Sequence, residues 1–153
     1  MGVLTPEELA RYLKDKRDIL VMAGSLCERI DFDGKKLVDY VAAIAHKLKA
    51  PVAATGNTMA GLKEKGLQAK KMWVAEVMDY MRHPWKEPLI SKRPRLLVFV
   101  GYHRDLLEML VSMLKDVDTL ALGPGHVASA TRSVPDLSIE SWKDFLEDLA
   151  EKL

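Results

Sequence analysis

The sequence predicts an α/β fold of three layers, a mostly parallel sheet with helices on both faces. Two observations predict it. Four short, largely apolar runs, at residues 19–23, 51–55, 96–100 and 118–122, each lead into a glycine. Continuous rather than alternating apolarity marks strands buried on both faces. Between these runs lie segments whose apolar residues recur with the helical period, and strands alternating with helices build βαβ units. Right-handed crossovers then bring the carboxyl ends of the strands to one edge.

Each element follows from local signals. Thr5 can cap a first helix, Pro6 suits its first position, and Glu8 stands three residues after the cap. Its apolar face is Leu9, Tyr12 and Leu13, and it stops near Lys16. Ile19-Leu20-Val21-Met22-Ala23 is the first strand, closed by Gly24. From Gly34 to Lys49 the stripe Leu37, Val38, Val41, Ile44, Ala45 and Leu48 reads as helix. Pro51-Val52-Ala53-Ala54-Thr55-Gly56 is a second strand, since proline is tolerated at a strand's first residue. Residues 57–71, broken by Gly61 and Gly66, read as loop with a helical turn around 58–63. Val74, Val77, Met78 and Met81 share a face of a helix over 72–81. Residues 82–94 hold three prolines and form a loop, a candidate contact segment. Residues 96–100 are the clearest strand. A helix follows over 104–115, then a strand over 118–123 with a Gly-Pro-Gly exit. Residues 124–137 read as loop with a short strand near 127–130. The last helix starts near Ser138 and carries Ile139, Trp142, Leu146, Leu149 and Leu153 on one face.

Composition bounds the function. A chain of 153 residues fits one domain, 1–153, with a core that needs no covalent staples. Twenty-three Lys and Arg against 22 Asp and Glu leave a net charge of +1, which excludes a basic nucleic-acid footprint. No apolar run approaches the roughly 20 residues that span a bilayer, and the N-terminus lacks the regions of a signal peptide. Pro6 stands where the myristoylation pattern prefers Ser or Thr. These points predict a soluble, cytoplasmic protein without nucleic-acid or membrane partners. Cys27 is the one cysteine, so no disulfide within the chain and no CxxC metal motif exist. Among the four histidines no HxxxH or HExxH spacing occurs, and no metal is expected on this chain.

The glycines Gly24, Gly56, Gly101 and Gly123 fall where open α/β sheets bind ligands, outside the carboxyl ends of the strands. Neither GxGxxG nor GxxxxGK[ST] occurs. The loop Thr55-Gly56-Asn57-Thr58 offers hydroxyls, an amide and an unhindered backbone suited to phosphate or ribose. Gly101-Tyr102-His103-Arg104 adds an aromatic face and a cation. Gly123-Pro124-Gly125-His126 and Arg132 complete a pocket in this reading. The competing reading is that the glycines serve only turns of positive φ. His103 and His126 could meet at the sheet edge with Cys27 nearby, but Cys27 reads as a small semi-buried residue. Two segments carry surplus apolar residues. Met72, Trp73, Met78, Tyr80, Met81 and Trp85 suit a partner interface or the core equally. Helix 104–115 is apolar around more than one stripe, and the core reading is preferred there over a homodimer interface.

The runs Ile19-Leu20-Val21-Met22-Ala23-Gly24, Pro51-Val52-Ala53-Ala54-Thr55-Gly56 with Ala60-Gly61, Leu97-Val98-Phe99-Val100-Gly101 and Ala128-Ser129-Ala130-Thr131 resemble the epsilon subunit family of archaeal carbon monoxide dehydrogenase/acetyl-CoA decarbonylase/synthase. The match runs from about Thr5 to Leu153, and its most specific piece is P-V-A-A-T-G followed by A-G. The Gly123-Pro124-Gly125 loop and Ser129 depart from the family pattern. The resemblance implies a Rossmann-like fold of the NAD/FAD-binding-domain type. It also implies an accessory, non-catalytic role beside a large nickel–iron–sulfur alpha subunit, either stabilising the alpha–epsilon assembly or assisting electron transfer to FAD. A homodimer is a further expectation. By position, an FAD or nucleotide would contact Gly24, Ser25, Thr55, Gly56, Asn57, Gly101, Tyr102, Gly123 and Arg132.

Overall fold

The computed structural model describes residues 4–32, 34–55, 58, 62, 66–67, 69–72, 74–82 (backbone alone at 74–75), 93–114 and 116–153. The elements are α1 (Pro6–Lys14), β1 (Ile19–Ala23), α2 (Leu26–Arg29), β2 (Asp31–Phe32), β3 (Lys35–Lys36), α3 (Leu37–Leu48), β4 (Val52–Ala54), β5 (Ala69–Lys71), α4 (Val74–Arg82), β6 (Leu96–Val100), α5 (Arg104–Val111), β7 (Asp118–Ala121), β8 (Arg132–Ser133) and α6 (Ile139–Lys152).

Six strands form one sheet in the order β5-β4-β1-β6-β7-β8, and every pair in it is parallel. Counted along the chain, these strands run 3-2-1-4-5-6, the order of dinucleotide-binding domains. The three-layer, parallel α/β class read from the sequence is therefore the class observed. Alternation along the strands divides the core. Ile19, Val21, Ala23, Leu96, Val98 and Val100 face α1, α3 and α6. Leu20, Met22, Leu97 and Phe99 face α4 and α5. All five residues of both β1 and β6 are buried, which is why these central strands read as unbroken apolar runs.

The expected helix starts are largely met. The Thr5 hydroxyl accepts from the Glu8 amide at 3.2 Å, and Ser138 caps α6 through the Ser141 amide. Four expectations need correction. The helix expected from Gly34 begins at Leu37, because residues 31–36 fold into the β2–β3 hairpin. Gly34 takes φ 98° there and donates its amide to Asp31 Oδ1, while Phe32 packs edge-on against Tyr40 and Trp142. A strand, β5, stands where loop was expected. It is an edge strand with exposed Lys70 and Lys71, which protect the edge and erase the apolar signature. The short strand near 127–130 lies instead at 132–133. Thr119 and Thr131 exchange backbone-amide to hydroxyl bonds at 3.0 Å, which starts the pairing of β8 with β7 only beyond Thr131. The helix over 104–115 stops at Val111, where the Ser112 hydroxyl donates to the Met109 carbonyl at 2.7 Å and competes with the helical ladder.

The apolar surplus divides. Met72, Met78 and Met81 are buried and serve the core. Trp73, Trp85 and most of 82–94 lie outside the described residues, as do Gly56 and Asn57. On α5 the preferred core reading is corrected. Leu107 and Val111 face inward, but Leu106 and Met109, and Met113 in the turn that follows, are exposed. Among the described residues no helix is long and apolar enough to cross a membrane.

Trp142 ties the last helix to the sheet by donating from Nε1 to the Leu122 carbonyl at 2.7 Å. Trp142→Phe strands that buried carbonyl and leaves a void. The expected loss is about 2–3 kcal/mol in urea unfolding. An unchanged midpoint would mean that the tie carries no weight.

Candidate functional site

The strand order puts its reversal between β1 and β6, the place where dinucleotide-binding domains seat their ligand. Here the chain meets itself. The Gly24 amide donates to the Val100 carbonyl at 2.9 Å, and the Leu26 amide to the Gly101 carbonyl at 3.0 Å. A β-carbon on Gly24 would stand 2.3 Å from the Gly101 carbonyl oxygen. A β-carbon on Gly101, whose φ is +80°, would stand 2.5 Å from Cys27 Sγ. The two glycines thus permit close approach of two backbones.

Side chains fill the rest. Cys27 is fully buried, and its thiol donates to the Val100 carbonyl at 3.5 Å. Burial pushes its pKa up to about 12, so at neutral pH it stays a thiol. Tyr102 packs edge-on against Phe99 and is buried, and among the described residues its hydroxyl has no hydrogen-bond partner. Burial pushes its pKa up. On the β4 side, the Thr55 amide donates to the Ala23 carbonyl, and the buried Thr58 hydroxyl donates to the Gly24 carbonyl at 3.2 Å. On the β7 side, the Gly101 amide donates to the Gly123 carbonyl at 2.9 Å, and Gly123, at φ +109°, leaves room for the Trp142 ring.

The structure therefore brings Gly24, Ser25, Thr55, Gly101, Tyr102 and Gly123 to one edge. It does not bring Arg132 there. Arg132 pairs at the level of Leu120, and its guanidinium lies 5.1 Å from the centre of the Tyr12 ring. Lys16 sits over the same ring and pairs with Asp118 at 3.0 Å. Arg132 thus belongs to a cation–π cluster near the amino ends of the strands.

A dinucleotide needs free backbone N–H groups at this crevice for its diphosphate. The amides of Gly24, Leu26, Cys27 and Gly101 all donate within the chain. Ser25, before the single-turn α2, takes a helical conformation, not the extended one of a cap. These four amides therefore offer no free donor to a diphosphate. No group of three or more His, Cys, Asp or Glu among them could hold a metal ion.

Sequence reasoning missed what orders the outer turn. Glu108 on α5 accepts from the Ala128 amide and, at 2.7 Å, from the Ser129 hydroxyl. The Ser129 hydroxyl, with the two amides, holds its carboxyl below the ordinary value of 4.5. Asp136 accepts from the His126 amide at 2.8 Å and pairs with Arg104 at 3.4 Å. One signal was available: Glu108 is the single charge between Asp105 and Lys115.

Comparison with curated proteins gives relatives over almost the whole chain. The acetyl-CoA decarbonylase/synthase complex subunit epsilon of Methanothermobacter thermautotrophicus is 23% identical over 152 residues, covering 96% of this chain and 85% of its own. Subunit epsilon 1 of Methanosarcina barkeri and subunit epsilon 2 of Methanosarcina mazei are each 25% identical over 154 residues, covering 98% of this chain and 88% of theirs. The chain is thus similar to these epsilon subunits over almost its whole length. No family model matches it. Among solved structures, an imine reductase from Pseudomonas sp. aligns with 87% of this chain and 38% of its own, at 8% identity and a TM-score of 0.42.

Two outcomes test the site as described. Tyr102→Phe removes an unsatisfied buried hydroxyl and should stabilise the protein by about 1 kcal/mol in chemical denaturation. A loss of similar size would reveal a partner for that hydroxyl. Glu108 has a folded pKa below its unfolded one. Its contribution is present above the unfolded value and lost as pH falls through the lowered folded value. The stability of the wild type should therefore converge on that of Glu108→Gln as the pH falls from 4.5 through the lowered folded value. A constant gap across that range would refute the clamp.

Proposed function

We propose that the chain is the small accessory subunit, of the epsilon type, of an acetyl-CoA decarbonylase/synthase complex. It docks on the large nickel–iron–sulfur alpha subunit of the carbon monoxide dehydrogenase component and stabilises that assembly. The observation that carries this reading is end-to-end similarity to epsilon subunits from three methanogens, over 96–98% of this chain. The redox centres belong to the partner, and this chain is not itself catalytic. Its one thiol, buried and held protonated, is suited neither to ligation nor to nucleophilic attack. The amides of Gly24, Leu26, Cys27 and Gly101 are bonded within the chain, which favours stabilisation as its role over electron transfer to FAD.

A second reading, a free-standing nucleotide-binding protein, draws support from the strand order and the unpartnered Tyr102 hydroxyl. One pair of measurements separates the two. Tagged protein recovered from its native lysate should bring down a large partner with iron–sulfur absorbance. FAD, NAD and ADP should leave the melting temperature of the isolated chain unchanged. Recovery of the small protein alone, with stabilisation approaching about 2.7 kcal/mol at one hundred times the dissociation constant, would establish the second reading.

A further inference from the structure

A concavity of about 460 Å3 lies between the β2–β3 hairpin and the first turns of α6, lined by Asp31, Phe32, Ile139, Glu140, Lys143 and Asp144. Its apolar lining is Phe32, buried against Tyr40 and Trp142, and Ile139, which is 56% exposed at the first position of α6. Its charged lining is three carboxylates and one ammonium. That ammonium, on Lys143, pairs with Glu147 further along the helix. Among the described residues, Glu140 and Asp144 make no ion pair. They stand four apart on one helical face, where like charges destabilise a helix. Asp148 and Glu151, also exposed and without an ion pair among the described residues, continue the acidic face. A chain of net charge +1 thus concentrates negative charge beside an exposed apolar cleft.

We propose that this cleft docks a basic segment of a protein partner, one that inserts an apolar side chain against Phe32 and Ile139 and sets Lys or Arg against Asp31, Glu140 and Asp144. Charge complementarity selects this occupant. A two-fold contact with a second copy would face the acidic rim with itself, and like charges across an interface cost several kcal/mol. Nucleic acids and anionic lipids are repelled by the same rim. The inference rests on the accessory-subunit reading and gives it a docking face, distinct from the exposed Leu106 and Met109 of α5.

The test co-expresses the full chain with the large subunit and treats the purified complex with a zero-length carbodiimide, which joins carboxylates to amines in contact. Glu140 or Asp144 should cross-link to lysines of the large subunit. Glu140→Lys combined with Asp144→Lys should lower recovery of the complex about tenfold or more, with Glu140→Gln combined with Asp144→Asn and Ile139→Ala each weakening it less. Added salt should weaken the wild-type complex more than the neutralised one. A complex that retains full affinity in all these variants, with cross-links mapping elsewhere, overturns the docking face and leaves the accessory role standing. A salt-sensitive dimer of this chain alone, abolished by the same variants, overturns the hetero-partner in favour of a second copy. Absence of any complex with the wild type removes the proposed function and this docking face together.

Discussion

The closest constraint in the molecule is the approach of Gly24 to Gly101 at the centre of the sheet. Two backbones leave adjacent parallel strands and remain hydrogen-bonded past the strand ends, so that no β-carbon fits on either glycine. Everything around the carboxyl edge follows from this closure. Cys27 and Tyr102 lose their access to water because they pack into it, and their acidities weaken accordingly. Thr58 reaches across from beyond β4 to bond the Gly24 carbonyl. A parallel sheet normally leaves a crevice at its point of reversal, because neighbouring crossovers depart to opposite faces. In this chain the main chain past β1 and β6 stays hydrogen-bonded to itself at that point.

The outer half of the same edge is ordered by carboxylates. Glu108 and Asp136 accept backbone amides from a turn that would otherwise present them to solvent or to an anion. The turn is thereby neutralised from within, much as a bound phosphate would neutralise it. The amino ends of the strands use the complementary chemistry, with Lys16 and Arg132 against the Tyr12 ring and Asp118 bonded to Lys16. At both ends of the strands, then, charge is matched locally. The face of α6 near β2 and β3 sets Glu140 and Asp144 without an ion pair among the described residues, and that is where a partner's charge is called for.

These features agree with a subunit whose work is done by its surface. The strand order is that of dinucleotide-binding domains, but function belongs to sites and not to folds. The apolar stripe on α5 and the acidic cleft at α6 are separate exposed features on opposite layers of the sheet. An accessory subunit between two neighbours would have use for both.

By itself the sequence determined the layers and the order of the main elements. Burial on both faces makes a central parallel strand apolar at every position, and amphipathic helices repeat their apolar residues every turn, so both patterns are written in neighbouring residues. The glycines at the ends of β1, β6 and β7 were legible as special backbone positions for the same reason. Only the tertiary structure decided what those glycines do, because whether a crevice admits a ligand depends on residues far apart in the chain, here Gly24 against Gly101 and Gly123 against Trp142. The same separation hid β5, whose edge position removes the apolar code, and moved Arg132 from the strand-end loops to Tyr12. It also exposed Leu106, Met109 and Met113, since α5 can bury only the side that meets the sheet.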